Sequence, residues 1–509
     1  MNLPDRLEAL SCTPGEHEYA PSGKWDRFTW LFALPSLLIS LILHLILLAI
    51  AALIVFATPT QAPLTLDAGA AQLEVLQEVE LPDTALAVQQ PSLLEVDNSP
   101  SLTNTLEFVP PALPKLPQVL DIPDWPVAAA TGPLADGATS PSLSFSHRSN
   151  SQRQGLAQKY GASAASEQAV ELGLAWLAKH QHKDGGWDLD HQRGGGAEQM
   201  SPNPGKPAGR IGATALALLP FLGKGYTQRQ DYSDKATVRR GLSFLITSIR
   251  DEGPNGGSML DQTGEMYSHA LATICLCEAF GMTKDPMLEE PVRAALKYII
   301  YSQDPVGGGW RYTPREPGDT SVLGWQLMAL KSAQMACVPH SPGVYERVGR
   351  FLDHVQTEKG ARYAYMDPAE VARPSTTAIG LLCRMYLGWK QAHPELQAAV
   401  AEMAEVGPDR RTGDGTQANM YYNYYATQVM RHIGGPKWDQ WNVAMRDFLV
   451  RTQATEGVAS GSWFFRDELS SEHGGRLYVT SMCLLTLEVY YRHLPLYREE
   501  VLADDFPLE

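Results

Sequence analysis

The chain has 509 residues, 44% of them hydrophobic and 19% charged, which is enough apolar content to bury a core and too much for compositional disorder. Its 41 Lys and Arg stand against 57 Asp and Glu, a net charge of −16 that excludes a broad nucleic-acid surface, since such a surface needs clustered cations to displace phosphate counterions. Six cysteines without a Cys-x-x-Cys pair exclude a disulfide-stapled scaffold and a structural zinc ribbon.

The first predicted element is a transmembrane helix over 29–57. Trp30 to Ala57 is almost continuously apolar, broken only by Pro35, Ser36, Ser40 and His44. That exceeds the ~20 residues needed to span a bilayer and the ~7–15 of a signal-peptide core, so an uncleaved anchor is expected. Lys24 and Arg27 precede the run, and the next cation after it is Lys115. The positive-inside rule then keeps residues 1–28 in the cytoplasm as an N-terminal tail and sends the rest outward. In a bacterial cell this is a single-pass protein of the cytoplasmic (inner) membrane with a periplasmic domain. Cys275, Cys277, Cys337, Cys383 and Cys483 sit in apolar helical stretches on that side and read as buried free thiols.

Residues 58–155 are rich in proline and acidic, a composition that predicts a semi-rigid, largely disordered linker, with Ser146–Gly155 as its flexible joint. Short alternating runs, Leu73–Leu76 and Leu93–Val96, offer the alternative of strands that pair with a partner. The domain proper follows at 156–497, and 498–509 forms an acidic C-terminal tail.

Within 156–497 the chain repeats itself. The first unit has Trp176-Leu177, then Gln181, then Gly185-Gly186-Trp187, and the third has Tyr298-Ile299, Gln303 and Gly308-Gly309-Trp310. The fourth has Phe351-Leu352, Gln356 and Gly360, with Arg362 where tryptophan stood, and the last has Phe448-Leu449, Gln453 and Gly461-Ser462-Trp463. The second unit keeps a Gly256-Gly257 turn with Ile249 in place of glutamine, and the fifth is degenerate, its first helix weak around Leu396–Ala404. Each unit carries a second, more apolar helix, starting near Thr214, Ala270, Gly324, Ala378, Ala426 and Ser481, a period of roughly 50 residues. Six such hairpins predict an all-α (α/α)6 toroid, with an inner ring of helices inside an outer one.

The aromatic-aliphatic, Gln, Gly-x-Trp pattern resembles the repeats of squalene–hopene cyclases and of protein prenyltransferase beta subunits, which are α/α toroids. The resemblance implies structural roles for Gln181, Trp187, Gln303, Trp310, Gln356, Gln453 and Trp463, the glutamine closing the outer helix and meeting the tryptophan that leads into the inner one. It also implies chemistry that the residues can be tested for. Class II terpene cyclases protonate an alkene from an Asp-x-Asp-Asp motif; the nearest string here is Asp188-Leu-Asp190-His191, with histidine in the last place. Prenyltransferase zinc needs Asp-x-Cys and a later histidine. Here Asp319-Thr-Ser321 has serine for cysteine, and valine stands in the histidine's place at Val479. The Cys-Gly-Glu-Gln of complement-type thioester toroids is absent. No cofactor or metal is therefore expected, although His180, His182 and His191 near Asp184 raise a metal as the alternative to a solvated loop.

What remains is the barrel lining. The inner-helix N-termini carry Arg210, Glu265, Tyr267, His269, Asp319, Trp325, Tyr421, Tyr422, Tyr424, Tyr425, Arg476 and Tyr478, and predict a polar, partly electropositive rim above aromatic rings. Glu265 and His269, one helical turn apart, are candidates for an acid–base pair, and Asp319 is a further candidate catalytic carboxylate. Arg210, Tyr267, Trp325, Tyr421, Tyr422, Tyr424 and Tyr478 are candidates for lining a ligand cavity. Two functions fit: a membrane-tethered module binding a lipid, isoprenoid or peptide ligand, or a divergent cyclase, transferase or carbohydrate hydrolase using Glu265 and Asp319.

Overall fold

The computed structural model describes residues 143–497, apart from 195–199, 208, 234, 263, 264, 411–416, 467, 468 and 495. The expected cytoplasmic tail, anchor at 29–57, most of the linker and the acidic tail at 498–509 lie outside the described residues. Among those described, no helix is long and apolar enough to cross a membrane.

In chain order the helices are α1 Leu143–Ser146, α2 Asn150–Lys159, α3 Ala164–Lys179, α4 Arg210–Gly223, α5 Thr237–Thr247, α6 Glu265–Thr283, α7 Pro286–Ser302, α8 Thr320–Met335, α9 Gly343–Val355, α10 Pro374–Tyr386, α11 Pro394–Val406, α12 Met420–Ile433, α13 Gly435–Thr452, α14 Leu469–Leu487 and α15 Val489–Arg492. The even-numbered helices from α4 to α14 form a closed ring: α4 packs on α6, α6 on α8, α8 on α10, α10 on α12, α12 on α14, and α14 back on α4. The odd-numbered helices α3 to α13 pack outside them, each against the inner helix it precedes.

Burial follows the sequence pattern. In α8 every residue from Thr320 to Leu330 is buried, as befits a helix covered on all sides. The outer α9 buries only Val344, Val348, Phe351, Leu352 and Val355, a single stripe at helical spacing. The inner helices begin some four to six residues before the expected points, and α14 earlier still. Their first turns are polar, so hydrophobicity alone marks them too late, whereas caps such as Asp319 start α8 at Thr320.

The repeat motif is the joint between outer and inner helices. Gln303 Nε2 donates to Gly308 O at 2.8 Å and to Val344 O, in the first turn of the next outer helix, at 3.1 Å. Gln181 does the same with Gly185 O and with Thr237 O at the start of α5, and Gln453 with Gly461 O and Ala169 O, which closes the outer ring between its last and first members. Each tryptophan indole N–H turns back to a carbonyl at the end of its outer helix: Trp187 to Leu177 O, Trp310 to Ile299 O and Trp463 to Leu449 O. Gly185, Gly308 and Gly461 hold φ of +91°, +85° and +89°, and a Cβ there would collide with the backbone carbonyl of Arg240, Arg347 or Leu172.

Several sequence readings are corrected here. In the fourth unit the tryptophan's place is taken by Tyr363, fully buried with its hydroxyl accepting from Arg384 Nε at 3.0 Å; Arg362 instead pairs with Glu358 and Glu402 on the surface. A short two-stranded pairing, β1 Gln356–Thr357 with β2 Arg362–Tyr363, accompanies a shift of the register by one, and Gln356 Oε1 there accepts from Arg384. The supposedly weak first helix of the fifth unit is the 13-residue α11, started by Pro394 and burying Leu396, Ala399, Val400 and Met403. Cys337 is exposed, while Cys275, Cys277, Cys383 and Cys483 are buried, and all five are free. The stretch read as a flexible joint is helical and packed: the Phe145 ring lies against Gly281 of α6, leaving no room for a Cβ there, and Arg148 is buried.

Candidate functional site

The inner helices point their N-termini to one mouth of the barrel and their C-termini to the other. At the N-terminal mouth several of the described polar groups serve as helix caps. Both carboxylate oxygens of Asp261 cap α4, taking Ile211 N at 3.0 Å and Gly212 N at 2.8 Å, and Asn419 Oδ1 caps α12 through Tyr422 N. Asp319 Oδ1 takes Ser321 N, Val322 N and the Ser321 hydroxyl at 2.8–2.9 Å. The electropositive rim expected there is thus neutralised by side chains of the chain itself.

Below the rim the barrel is plugged. The Tyr267 hydroxyl on α6 meets Ser321 Oγ on α8, and the Tyr421 hydroxyl on α12 donates to Ser321 O at 3.1 Å. Trp325 of α8 donates its indole N–H to Tyr421 Oη at 3.1 Å, stacks on Tyr424 at 5.4 Å and meets Tyr425 edge-on at 5.6 Å. Helices α8 and α12 are separated in the ring by α10, so these contacts run through the barrel interior. Gly324 permits them, since a Cβ there would sit 2.9 Å from Tyr425 Oη. The tyrosine run of α12 is therefore interior packing on one face. Tyr422 points the other way, meeting outer Trp441 edge-on at 6.1 Å, and is withdrawn from the lining set.

The candidate catalytic residues separate in the same way. His269 sits at a joint. Its Nδ1 accepts from Met259 N at 3.1 Å, so Nε2 carries the proton and donates to Ala295 O at 3.0 Å. The equivalent bond is made by Thr214 to Trp187 N, Thr377 to Tyr363 N and Thr480 to Trp463 N, so His269 is a joint residue with both nitrogens used, and burial lowers its pKa to about 4. The side chain of Glu265 lies outside the described residues, so its pairing with His269 has no support. Arg210 forms a two-pronged pair with Asp184 and lies over the Phe244 ring, and Tyr478 packs on Gly474.

Asp319 is the most perturbed carboxyl at this mouth. It is fully buried, and that burial pushes it up to about 6, against the opposing hydrogen bonds of Val322 N, the Ser321 hydroxyl and Tyr365. Tyr365 in turn bonds Tyr312 Oη at 2.6 Å. Two of the three loop histidines are withdrawn from solvent, while His182 is half-buried and Asp184 exposed: His180 Nδ1 donates to Trp176 O at 2.7 Å, His191 and His180 both meet Ser201, and both of these rings are fully buried. Asp188 is buried against Asp190 N and Arg193. Among the described residues, no three His, Cys, Asp or Glu side chains are placed to hold a metal ion.

The C-terminal mouth was not foreseen, and among the described residues it holds open volume. A cavity of about 470 Å³ is lined by Ile274 and Glu278 of α6, Met328, Lys331, Ser332 and Met335 of α8, Tyr386 of α10, His432 of α12, Arg148 ahead of α2, and Arg492 with His493 and Leu496 after α14. Its floor is an ion triad, with Arg148 Nη1 on Glu278 Oε2 at 2.8 Å and Arg492 Nη2 on Glu278 Oε1 at 2.9 Å. The two arginines also donate to Leu222 O and Leu219 O at the end of α4, where a cation suits the helix dipole. Both arginines hold the Glu278 carboxyl below the usual range despite its burial, whereas burial drives neighbouring Glu488 well above it. The sequence signal for this site was weak: Arg148 looked like part of the linker, and no spacing connects it to Glu278 and Arg492.

No family model matches the sequence, and no curated protein matches it. Among solved structures the chain is similar to a cellobiose 2-epimerase from Spirochaeta thermophila, at 13% identity over 67% of this chain and 98% of that one, with a TM-score of 0.47. It is also similar to an α-1,6-mannanase from Salegentibacter (12%, 65% and 99%, TM-score 0.44) and to a type II terpene cyclase from Scytonema (12%, 64% and 97%, TM-score 0.42). At these identities the likeness concerns the arrangement of helices and nothing of the chemistry.

Proposed function

We propose that the chain is a membrane-tethered binding module, anchored by the apolar run at 29–57 with its toroid on the outer side of the cytoplasmic membrane, and that the toroid holds a small ligand in the cavity at the C-terminal mouth. One observation carries the reading: among the described residues, polar groups at the N-terminal mouth serve largely as helix caps beside packed aromatic rings, while the C-terminal mouth keeps open volume lined by charged and apolar side chains together. A volume near 470 Å³ lies in the usual range for small-molecule sites.

The test is native mass spectrometry of the full chain purified in amphipol, beside a Ser332→Trp variant that fills the cavity. A bound small molecule of defined mass, present in the parent chain and missing from the variant, supports the module. The same bound species in both would remove the cavity from consideration. An enzymatic reading has one observation in its favour, the buried Asp319 held near pH 6, which would suit a proton donor. It predicts that Asp319→Asn abolishes turnover of a substrate at the N-terminal mouth and leaves capture in the C-terminal cavity unchanged.

A further inference from the structure

The chemistry of the cavity narrows what it can take, if the site proposed above is correct. His432 is 2% exposed, and its Nδ1 accepts a hydrogen bond from Leu496 N at 3.3 Å. The ring is neutral, since burial lowers its pKa to about 3. With Nδ1 accepting, the single ring proton belongs to Nε2, and that buried N–H has no hydrogen-bond partner among the described residues. A buried donor left empty costs free energy, and an oxygen acceptor in the cavity would remove that cost.

Lys331 lines the same cavity, beside Tyr386. Its ammonium is 5.9 Å from the centre of Tyr386, and the His432 ring is 6.0 Å from it. Lys331 donates to the neutral amide of Gln334 at 2.7 Å and lies over the Tyr345 ring as well, and among the described residues no carboxylate pairs with it. The cavity wall therefore carries three cations, Arg148, Arg492 and Lys331, against one carboxylate, Glu278, and the two arginines are already paired with it. Ile274, Met328 and Met335 supply apolar wall beside this donor pair.

We propose that the cavity binds an anionic amphiphile, a carboxylate or phosphate monoester on a short apolar chain. The head accepts from Lys331 and His432 Nε2, and the chain lies on Ile274, Met328 and Met335. Arg148 and Arg492 shape the floor and add to the field without losing their bonds to Glu278.

Isothermal titration of the full chain in amphipol tests this with octanoate, octyl phosphate, octan-1-ol, octylammonium and inorganic phosphate. Octanoate and octyl phosphate are expected to bind one to one. Octanol and inorganic phosphate should each bind at least about tenfold more weakly, and octylammonium not at all. Lys331→Gln should weaken octanoate about tenfold and leave octanol unchanged, with Lys331→Arg restoring much of the loss. His432→Phe should act in the same direction on octanoate. Octanol or octylammonium binding as tightly as octanoate overturns the anionic head, and inorganic phosphate binding as tightly as octyl phosphate overturns the apolar tail. If none of the five binds, the cavity itself is not a ligand site and the reading beneath this one fails with it.

Discussion

The two ends of the barrel are built from the same six helices and solve opposite problems. At the N-terminal end, orphan N–H groups attract caps from Asp261, Asp319 and Asn419, and large rings from α6, α8 and α12 meet in the barrel interior. At the C-terminal end, orphan carbonyls attract arginines, whose mutual repulsion is held by one buried glutamate. Among the described residues, the guanidinium groups that satisfy carbonyls at the wall border open volume, whereas the aromatic rings pack against one another. The comparison shows that a toroid can keep a cavity at the mouth where its repeat motif is silent, because the motif residues serve the joints between helices.

Four measurements would break or sharpen that contrast. The largest effect is expected from Glu278→Ala, which strands two buried arginines; urea unfolding should show a loss of about 3–5 kcal/mol, and a loss below about 1 kcal/mol would mean the triad does not hold that mouth together. Next comes a matched pair of truncations on α8. Trp325→Ala removes the centre of the plug and should cost about 3–5 kcal/mol, while Met328→Ala, one turn further and already facing open volume, should cost no more than about 2 kcal/mol. Equal costs would erase the distinction between a filled and a hollow half.

The third measurement is pH-dependent stability. Asp319 is raised from 3.8 to about 6, so its stabilising contribution is fully present below pH 3.8 and is lost as pH rises through about 6, a change of about 3 kcal/mol. His180 and His269, lowered to about 4, and His432, lowered to about 3, act the other way: their contribution is present above 6.5 and lost as pH falls through those values. Asp319→Asn keeps the helix cap. The parent should therefore lose about 2 kcal/mol of stability relative to the variant between pH 4 and 6, and a flat difference would show that the carboxyl is not desolvated. The smallest effect is expected from Lys331→Gln, whose melting should move by less than about 0.5 kcal/mol in the absence of ligand, since its hydrogen-bond partner among the described residues is a surface amide; a larger loss would make the residue structural.

Much of the architecture was legible in the chain because joints use chemistry that spacing preserves. A glutamine amide and an indole each bond to carbonyls a fixed number of residues away, so Gln303 with Trp310 announces a hairpin as plainly as Gln453 with Trp463 does. The same logic explains the misreadings. Aligning the inner helices in register would have placed His269 beside Thr214 and Thr480 and shown it to be a joint residue, whereas its proximity to Glu265 suggested an acid–base pair. Tyr363 was passed over for Arg362 because the count shifts by one beside a two-residue strand pairing.

The amino-acid sequence by itself determined the helical period, the six hairpins and the joints that link them, because those depend on contacts between residues a few turns apart or in the same place of neighbouring units. Only the tertiary structure decided which mouth is filled and which is open. Trp325 reaches Tyr424 through the barrel interior, and Arg148 reaches Glu278 over 130 positions and Arg492 over 344. Contacts of that separation follow no periodic rule; closure of the ring alone brings them together, and with them the charges and the space that a ligand would meet.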